Sequence, residues 1–345
     1  MTVIVSQSLF PVQGFEHRFY HGNRYHCLSA KVTLEWDAEG RLAPLARQPE
    51  MVINDLWLDE ENRSSLLYPS DLIPFKPTTD VLVTGTLRAP QAEPMPGWYV
   101  ALRIGEREKR LRIHGPRHWR HSLLGGWTLS EAEPVSGVSL LYENAYGGTL
   151  GPVREHYEDG EFFPSNPLGC GFVGRAQADT SQLYPAAQIE AWDAPLTTFG
   201  QDVEPGGFGP LPGFVAERQK YAGTYDEQWR ESVAPNIPLD MDMRYWNTAP
   251  ADQQPAAYLK AGDVIELAGT RPGPPLRLVL PPFDAAGVAH WEDGARETHA
   301  MLLDTVLIDL DQDRVTLRYH GLVEFDERIK RINVYCAPTT YPAGS

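Results

Sequence analysis

The sequence predicts a mainly β protein: two β-rich units, sandwich- or barrel-like, joined by long ordered Gly/Pro loops and a short helix near residues 214–233. Three observations predict it. Short runs of alternating apolar and polar residues recur toward both ends of the chain. The stretch from Tyr142 to Gln254 is punctuated by glycine and proline. Within that stretch, one run has the period of a helix. The expected organisation is a β-rich domain over residues 1–150, a loop-rich central segment over 151–254 with one helix packed on both ends, and a β-rich part over 255–345.

Lys31 to Trp36 alternates, which sets Val32, Leu34 and Trp36 on one face. Val81 to Thr86 is a second β-rich run. Val100, Leu102 and Ile104 alternate with Ala101 and Arg103, and Leu111-Arg112-Ile113 follows, so a hairpin turns near Gly105. Val135 to Tyr142 reads as a further strand. Beyond the centre, Asp263 to Leu267 and Leu276 to Leu280 are strand candidates. Thr305 to Leu310 and Arg314 to Tyr319 flank Asp311-Gln312-Asp313 as a second hairpin, and Ile329 to Cys336 closes the series. Asp80 to Thr86 (DVLVTGT) echoes Asp263 to Thr270 (DVIELAGT), and Leu111 to Gly115 echoes Leu317 to Gly321. Two readings stand: a duplicated β unit, or two generic amphipathic hairpins.

In the centre, Tyr221, Tyr225, Trp229 and Val233 recur every four residues along one helical face, and Pro235 and Pro238 end it. Docking of that stripe onto the sheets is expected; a partner helix is the alternative. Gly223 weakens the helix by roughly 1 kcal/mol against alanine.

Thirty glycines and thirty prolines among 345 residues call for many turns and ordered loops. A hydrophobic share of 42 % is enough for a real core. The net charge of −16 repels phosphate backbones and anionic membrane surfaces, so no nucleic acid is expected. No run of about 18 apolar residues exists and the start, MTVIVSQSLF, lacks a basic region, so neither membrane insertion nor a signal peptide is expected. Cys27, Cys170 and Cys336 are scattered, which fits reduced thiols in the cytoplasm.

Catalytic motifs are not recognisable. His114, His118 and His121 lie in HGPRHWRH, where Pro116 and the flanking Arg117 and Arg120 argue for a loop and oppose a metal cation. His17, His21 and His26 lie near the start. The pairs Glu60/Glu61, Glu131/Glu133 and Asp240/Asp242 have no spacing that sets carboxylate roles apart. Gly206-Gly207-Phe208-Gly209-Pro210 is a loop and not a phosphate cradle. No catalytic residue, no metal site and no cofactor is expected. The central polar motifs brace long loops or meet an extended partner. The residues singled out are Glu143, Asn144, Tyr146, Asn166, Tyr225, Asp226, Trp229, Asn247, Asp252 and Gln253.

Taken in order, YENAYGG, SNPLGCG, GFGPLP, YAGTYDEQWR and NTAPADQQ resemble the family called domain of unknown function 2169, as does the upstream WLDEENRSSLLYPSDLIPFKPTTDVLVTGTLRAP. The resemblance runs from about Val52 to Pro281. It implies a bacterial type VI secretion adaptor or chaperone that loads an effector toxin, or its PAAR-bearing part, onto the VgrG spike. It implies no catalytic residues. After GPLP many relatives carry an aromatic-basic sequence where this chain has Gly213-Phe214-Val215-Ala216-Glu217-Arg218, which leaves partner specificity open. The alternative is an enzyme or carbohydrate-binding module, with Trp192, Tyr245 and Trp246 stacking on a sugar ring.

Overall fold

Arg24–Trp36 runs for thirteen residues through the largest sheet. The computed structural model describes residues 2–19, 22–150, 161–174 and 178–339; His21 lies outside them. The sheet runs Val12–Arg18, Arg24–Trp36, Arg314–Glu324, Leu302–Asp309, Asp80–Thr84, with Leu42–Pro44 added beside Arg24–Trp36. Its neighbours are antiparallel except Asp80–Thr84, which lies parallel to Leu302–Asp309. A four-stranded sheet runs Val3–Ser6, Ile329–Pro338, Phe283–Trp291, Arg296–Ala300. A five-stranded antiparallel sheet runs Ile189–Ala191, Arg107–His114, Gly97–Ile104, Val264–Ala268, Leu276–Val279. Smaller ribbons complete a mainly β molecule, and among the described residues no sheet closes into a barrel.

Both predicted hairpins form, one turning at Gly105 and one at Asp311 to Asp313. One contiguous core joins the three large sheets: Val32 and Leu34 from the first, Ile332 and Val334 from the second, Val100, Leu111 and Ile265 from the third. Each such side chain contributes roughly 1.5–3 kcal/mol on leaving water. No helix among the described residues is long and apolar enough to cross a membrane.

Four features differ from the sequence reading. Strands from residues 1–150 and 255–345 share the largest and the five-stranded sheets instead of forming separate units. The duplicated-unit reading fails with them. Asp80–Thr84 is a parallel edge of the largest sheet, whereas Val264–Ala268 sits between two antiparallel neighbours in another. The four-residue stripe is not one helix. Ala216–Gln219 and Glu227–Ser232 are separate, because Gly223 takes φ +79 and a Cβ there would come within 3.0 Å of Met241 N. Finally, His118 and His121 lie on the strand Arg117–Ser122 and not in a loop, since Pro116 stands just before it and blocks no ladder bond.

Candidate functional site

The alternation that buries Val32 and Leu34 also buries the opposite face of the largest sheet. That face is polar. Lys31 stands directly opposite Arg318, Arg318 opposite Thr305, and Thr305 opposite Asp80. Two cations side by side across strands repel each other, so each needs an acid of its own. Asp71 takes Lys31 at 2.9 Å, and also accepts the Val52 N–H and the Tyr68 hydroxyl. Asp304 takes Arg318 through two bonds of 2.7 and 3.0 Å. Asp80 takes Lys76, which in turn donates to Thr305 at 3.0 Å. Three cations thus meet three carboxylates, all buried. Burial alone would raise the Asp304 carboxyl, but Arg318, with His320 and Lys76, holds it well below the usual range. Burial pulls the Lys76 ammonium down against the attraction of Asp80.

The central loops fasten onto this layer. Asn247 donates to Asp80 at 2.7 Å and to the Thr78 carbonyl, and Thr248 donates to Asp80 through both its N–H and its hydroxyl. Gln253, fully buried, donates to the Val81 and Phe208 carbonyls and accepts from Lys109, which also pairs with Asp252. Upstream, Glu143 accepts from the Ser65 N–H and hydroxyl. Asn144 donates to the Ser139 carbonyl. Asn166 donates to the Tyr142 and Tyr146 carbonyls, and the Tyr146 hydroxyl donates to Asp202. Arg218, from the segment that follows GPLP, turns inward and clamps the Leu211 and Tyr245 carbonyls.

Of the ten residues singled out, seven are therefore tied into this bracing. Only Asp252 among those seven is exposed. The other three sit apart, by the second helix. Asp226 caps it by accepting the Trp229 N–H, and the exposed Tyr225 packs edge-on against Trp229 at 4.7 Å. Of the three rings of the sugar-stacking alternative, Tyr245 and Trp246 pack edge-on at 5.7 Å, with Tyr245 under Arg218 and Trp246 against His17, whereas Trp192 packs against Tyr99 instead.

Trp192 marks a surface that sequence reasoning missed. The inward set Val100, Leu102, Ile104 turns Tyr99 and Arg103 outward on the five-stranded sheet. Tyr99 is 57 % and Trp192 36 % exposed, with their rings 4.9 Å apart. The Arg112 guanidinium lies 4.4 Å from the Trp192 ring and 5.7 Å from Tyr99, and Arg110 lies 5.5 Å from Trp192. Arg112 donates to the Trp192 carbonyl and has no carboxylate partner among the described residues. On the same face Arg103, Arg110 and Arg277 share only Glu108 and Glu266. The outward tyrosine in an otherwise regular alternation was the available signal; the approach of Trp192 from a distant loop was not.

A family model described as "Uncharacterized protein conserved in bacteria (DUF2169)" matches residues 21–320, and the chain belongs to that family. No curated protein and no solved structure matches it.

Proposed function

We propose that this DUF2169 member is a non-catalytic adaptor that binds a type VI secretion effector, or its PAAR-bearing part, and helps load it onto the VgrG spike in the bacterial cytoplasm. The observation that carries the reading is the rigid face bearing Tyr99, Trp192, Arg110 and Arg112. Tyrosine, tryptophan and arginine are the residues that dominate protein–protein binding energies. Here they stand exposed on a sheet whose neighbouring loops are fixed by buried hydrogen bonds, so little ordering entropy is lost on docking. Binding the folded effector and not its unfolded form stabilises it by mass action, which is all a chaperone of this kind requires. Affinity capture of the tagged protein from its native bacterium, read by mass spectrometry, tests the reading. The expected catch is a toxin or a spike protein, lost from Trp192→Ala. Repeated captures holding neither would refute it.

A further inference from the structure

The four-stranded sheet ends in a strand with one side open. Arg296–Ala300 pairs with Phe283–Trp291, and among the described residues no strand lies beyond it. The Trp291 N–H donates to the Ala295 carbonyl and the Met301 N–H to the Ala285 carbonyl. Hydrogen-bonded pairs therefore fall at residues 295, 297, 299 and 301, and the N–H and C=O groups of Arg296, Thr298 and Ala300 point away from the sheet. All but His299 of this strand is exposed.

Against the inner side of this edge lies a cavity of about 760 Å³. Glu297 and His299 form one wall, Trp291 the next, and residues 323–328 the far side. Asp326 is occupied, accepting from Arg328 and from the Trp291 indole N–H. Glu324 and Glu327 have no ion-pair partner among the described residues. His299 Nε2 is buried without a hydrogen-bond partner, its nearest carboxylate being Glu297 at 3.8 Å. The cavity therefore shows a cation three carboxylates, Glu297, Glu324 and Glu327, that no internal charge neutralises at bonding distance. Because alternate side chains of a strand share a face, a strand added outside Arg296–Ala300 would point every second side chain the way Glu297 and His299 point, into the cavity.

We propose that this edge and cavity bind an extended, positively charged segment of a partner protein. The segment adds as a fifth strand through the open groups of Arg296 and Thr298, the Ala300 carbonyl lying against Gly321, and sets a lysine or arginine among Glu297, Glu324 and Glu327. Main-chain bonds supply affinity and the cavity supplies the choice of side chain. The surface is separate from the aromatic–arginine face, and rests on the adaptor reading only for the existence of a protein partner.

The test titrates the full-length protein with a capped synthetic peptide of about seven residues, the length of an ordinary strand, alternating valine with lysine, and with its glutamate counterpart. Amide shifts in a transverse-relaxation-optimised NMR spectrum report the location. The expected result is saturable binding of the lysine peptide alone, with shifts centred on residues 296–300 and the Trp291 indole. The exposed double change Glu324→Lys/Glu327→Lys should weaken it by about tenfold or more. Thr298→Pro, which removes an outward N–H and no inward one, should weaken it comparably while its circular dichroism stays native. Equal binding of both peptides, shifts elsewhere, or no binding at millimolar peptide would overturn the proposal. So would sedimentation showing a dimer of this chain that Thr298→Pro abolishes, since the edge would then belong to a second copy. Failure here leaves the Trp192-dependent capture standing, and failure of that capture leaves this binding standing.

Discussion

Replacing Asp80 by alanine removes the acceptor on which four donor groups converge: the Lys76 ammonium, the Asn247 amide, and the N–H and hydroxyl of Thr248. Asp80 and Lys76 are both 0 % exposed, so water cannot replace the lost partner. Removing one member of a buried ion pair costs about 3–5 kcal/mol, because the other charge is stranded. The orphaned Asn247 and Thr248 donors add about 1–3 kcal/mol each at most, and less than additively because all share one site. We expect a total loss of about 4–6 kcal/mol, a large part of the roughly 5–15 kcal/mol that holds a domain folded. Urea unfolding followed by tryptophan fluorescence measures it. The diagnostic step is the second change. Lys76→Met in the Asp80→Ala background removes the stranded charge and should recover about 2 kcal/mol or more. Asp80→Ala costing under about 1 kcal/mol, or a double variant no more stable than the single, would refute the account of the polar layer as a set of mutually dependent pairs.

Three further outcomes follow. At Gly147, where φ is +146, an added Cβ would stand 2.0 Å from the Asn166 carbonyl oxygen; Gly147→Ala should cost more than about 2 kcal/mol in thermal melts, against roughly 1 kcal/mol for Gly262→Ala, where φ is +87 and the space is open. Asp304 has a folded pKa below its unfolded value of about 3.9, so its contribution is complete above about pH 5 and is lost as pH falls through the folded value; the urea midpoint should fall steeply in acid, and Asp304→Asn should flatten that slope, whereas parallel slopes would show the carboxylate contributes nothing. Burial pushes the Cys27 and Cys336 thiols up to about 12 and the Cys170 thiol up to about 11, so a chromogenic disulfide at pH 8 should react slowly with native protein and rapidly with all three thiols in denaturant.

Period-two patterning made the mainly β class and both hairpins legible, because those pairings are local and one face of each strand is apolar. It could not assign strands to sheets. Asp80–Thr84 and Val264–Ala268 read alike in sequence, yet one is a parallel edge and the other an antiparallel centre, and what separates them is long-range pairing. The polar layer was hidden for a related reason. Lys31 and Thr33 alternate with Val32 and Leu34 as they would on a solvated face; they are covered by distant chain, Gln48 bonding the Thr33 backbone and Glu50, Tyr68 and Asp71 meeting Lys31. The loop motifs left two readings, bracing of long loops or contact with an extended partner; in the structure Asn166, Asn247 and Gln253 each donate to main-chain carbonyls. The four-residue aromatic period misled, since periodicity records spacing alone and Gly223 in a left-handed conformation breaks the helix that would have used it.

The balance of charge gives the two proposed surfaces different behaviour in salt. The polar layer is internally neutral, three cations to three acids, so the net charge of −16 resides outside it. At the edge cavity the local and overall fields have one sign. A basic segment is attracted at a distance, out to the Debye length of roughly 8 Å at physiological salt, as well as at contact, so its association rate should fall as salt rises and that reach shortens. The aromatic–arginine face opposes the rest of the molecule. An acidic partner is repelled at a distance and attracted only on arrival, so salt weakens the repulsion and the contact together and the net dependence is shallow. Affinity there must come mainly from burying Tyr99 and Trp192. Stopped-flow association over a salt series distinguishes the two: a steep fall for a partner that needs Glu324 and Glu327, and a nearly flat line for one that needs Trp192. A steep fall for the Trp192-dependent partner would mean that it is basic and meets the acidic surround instead of Arg110 and Arg112.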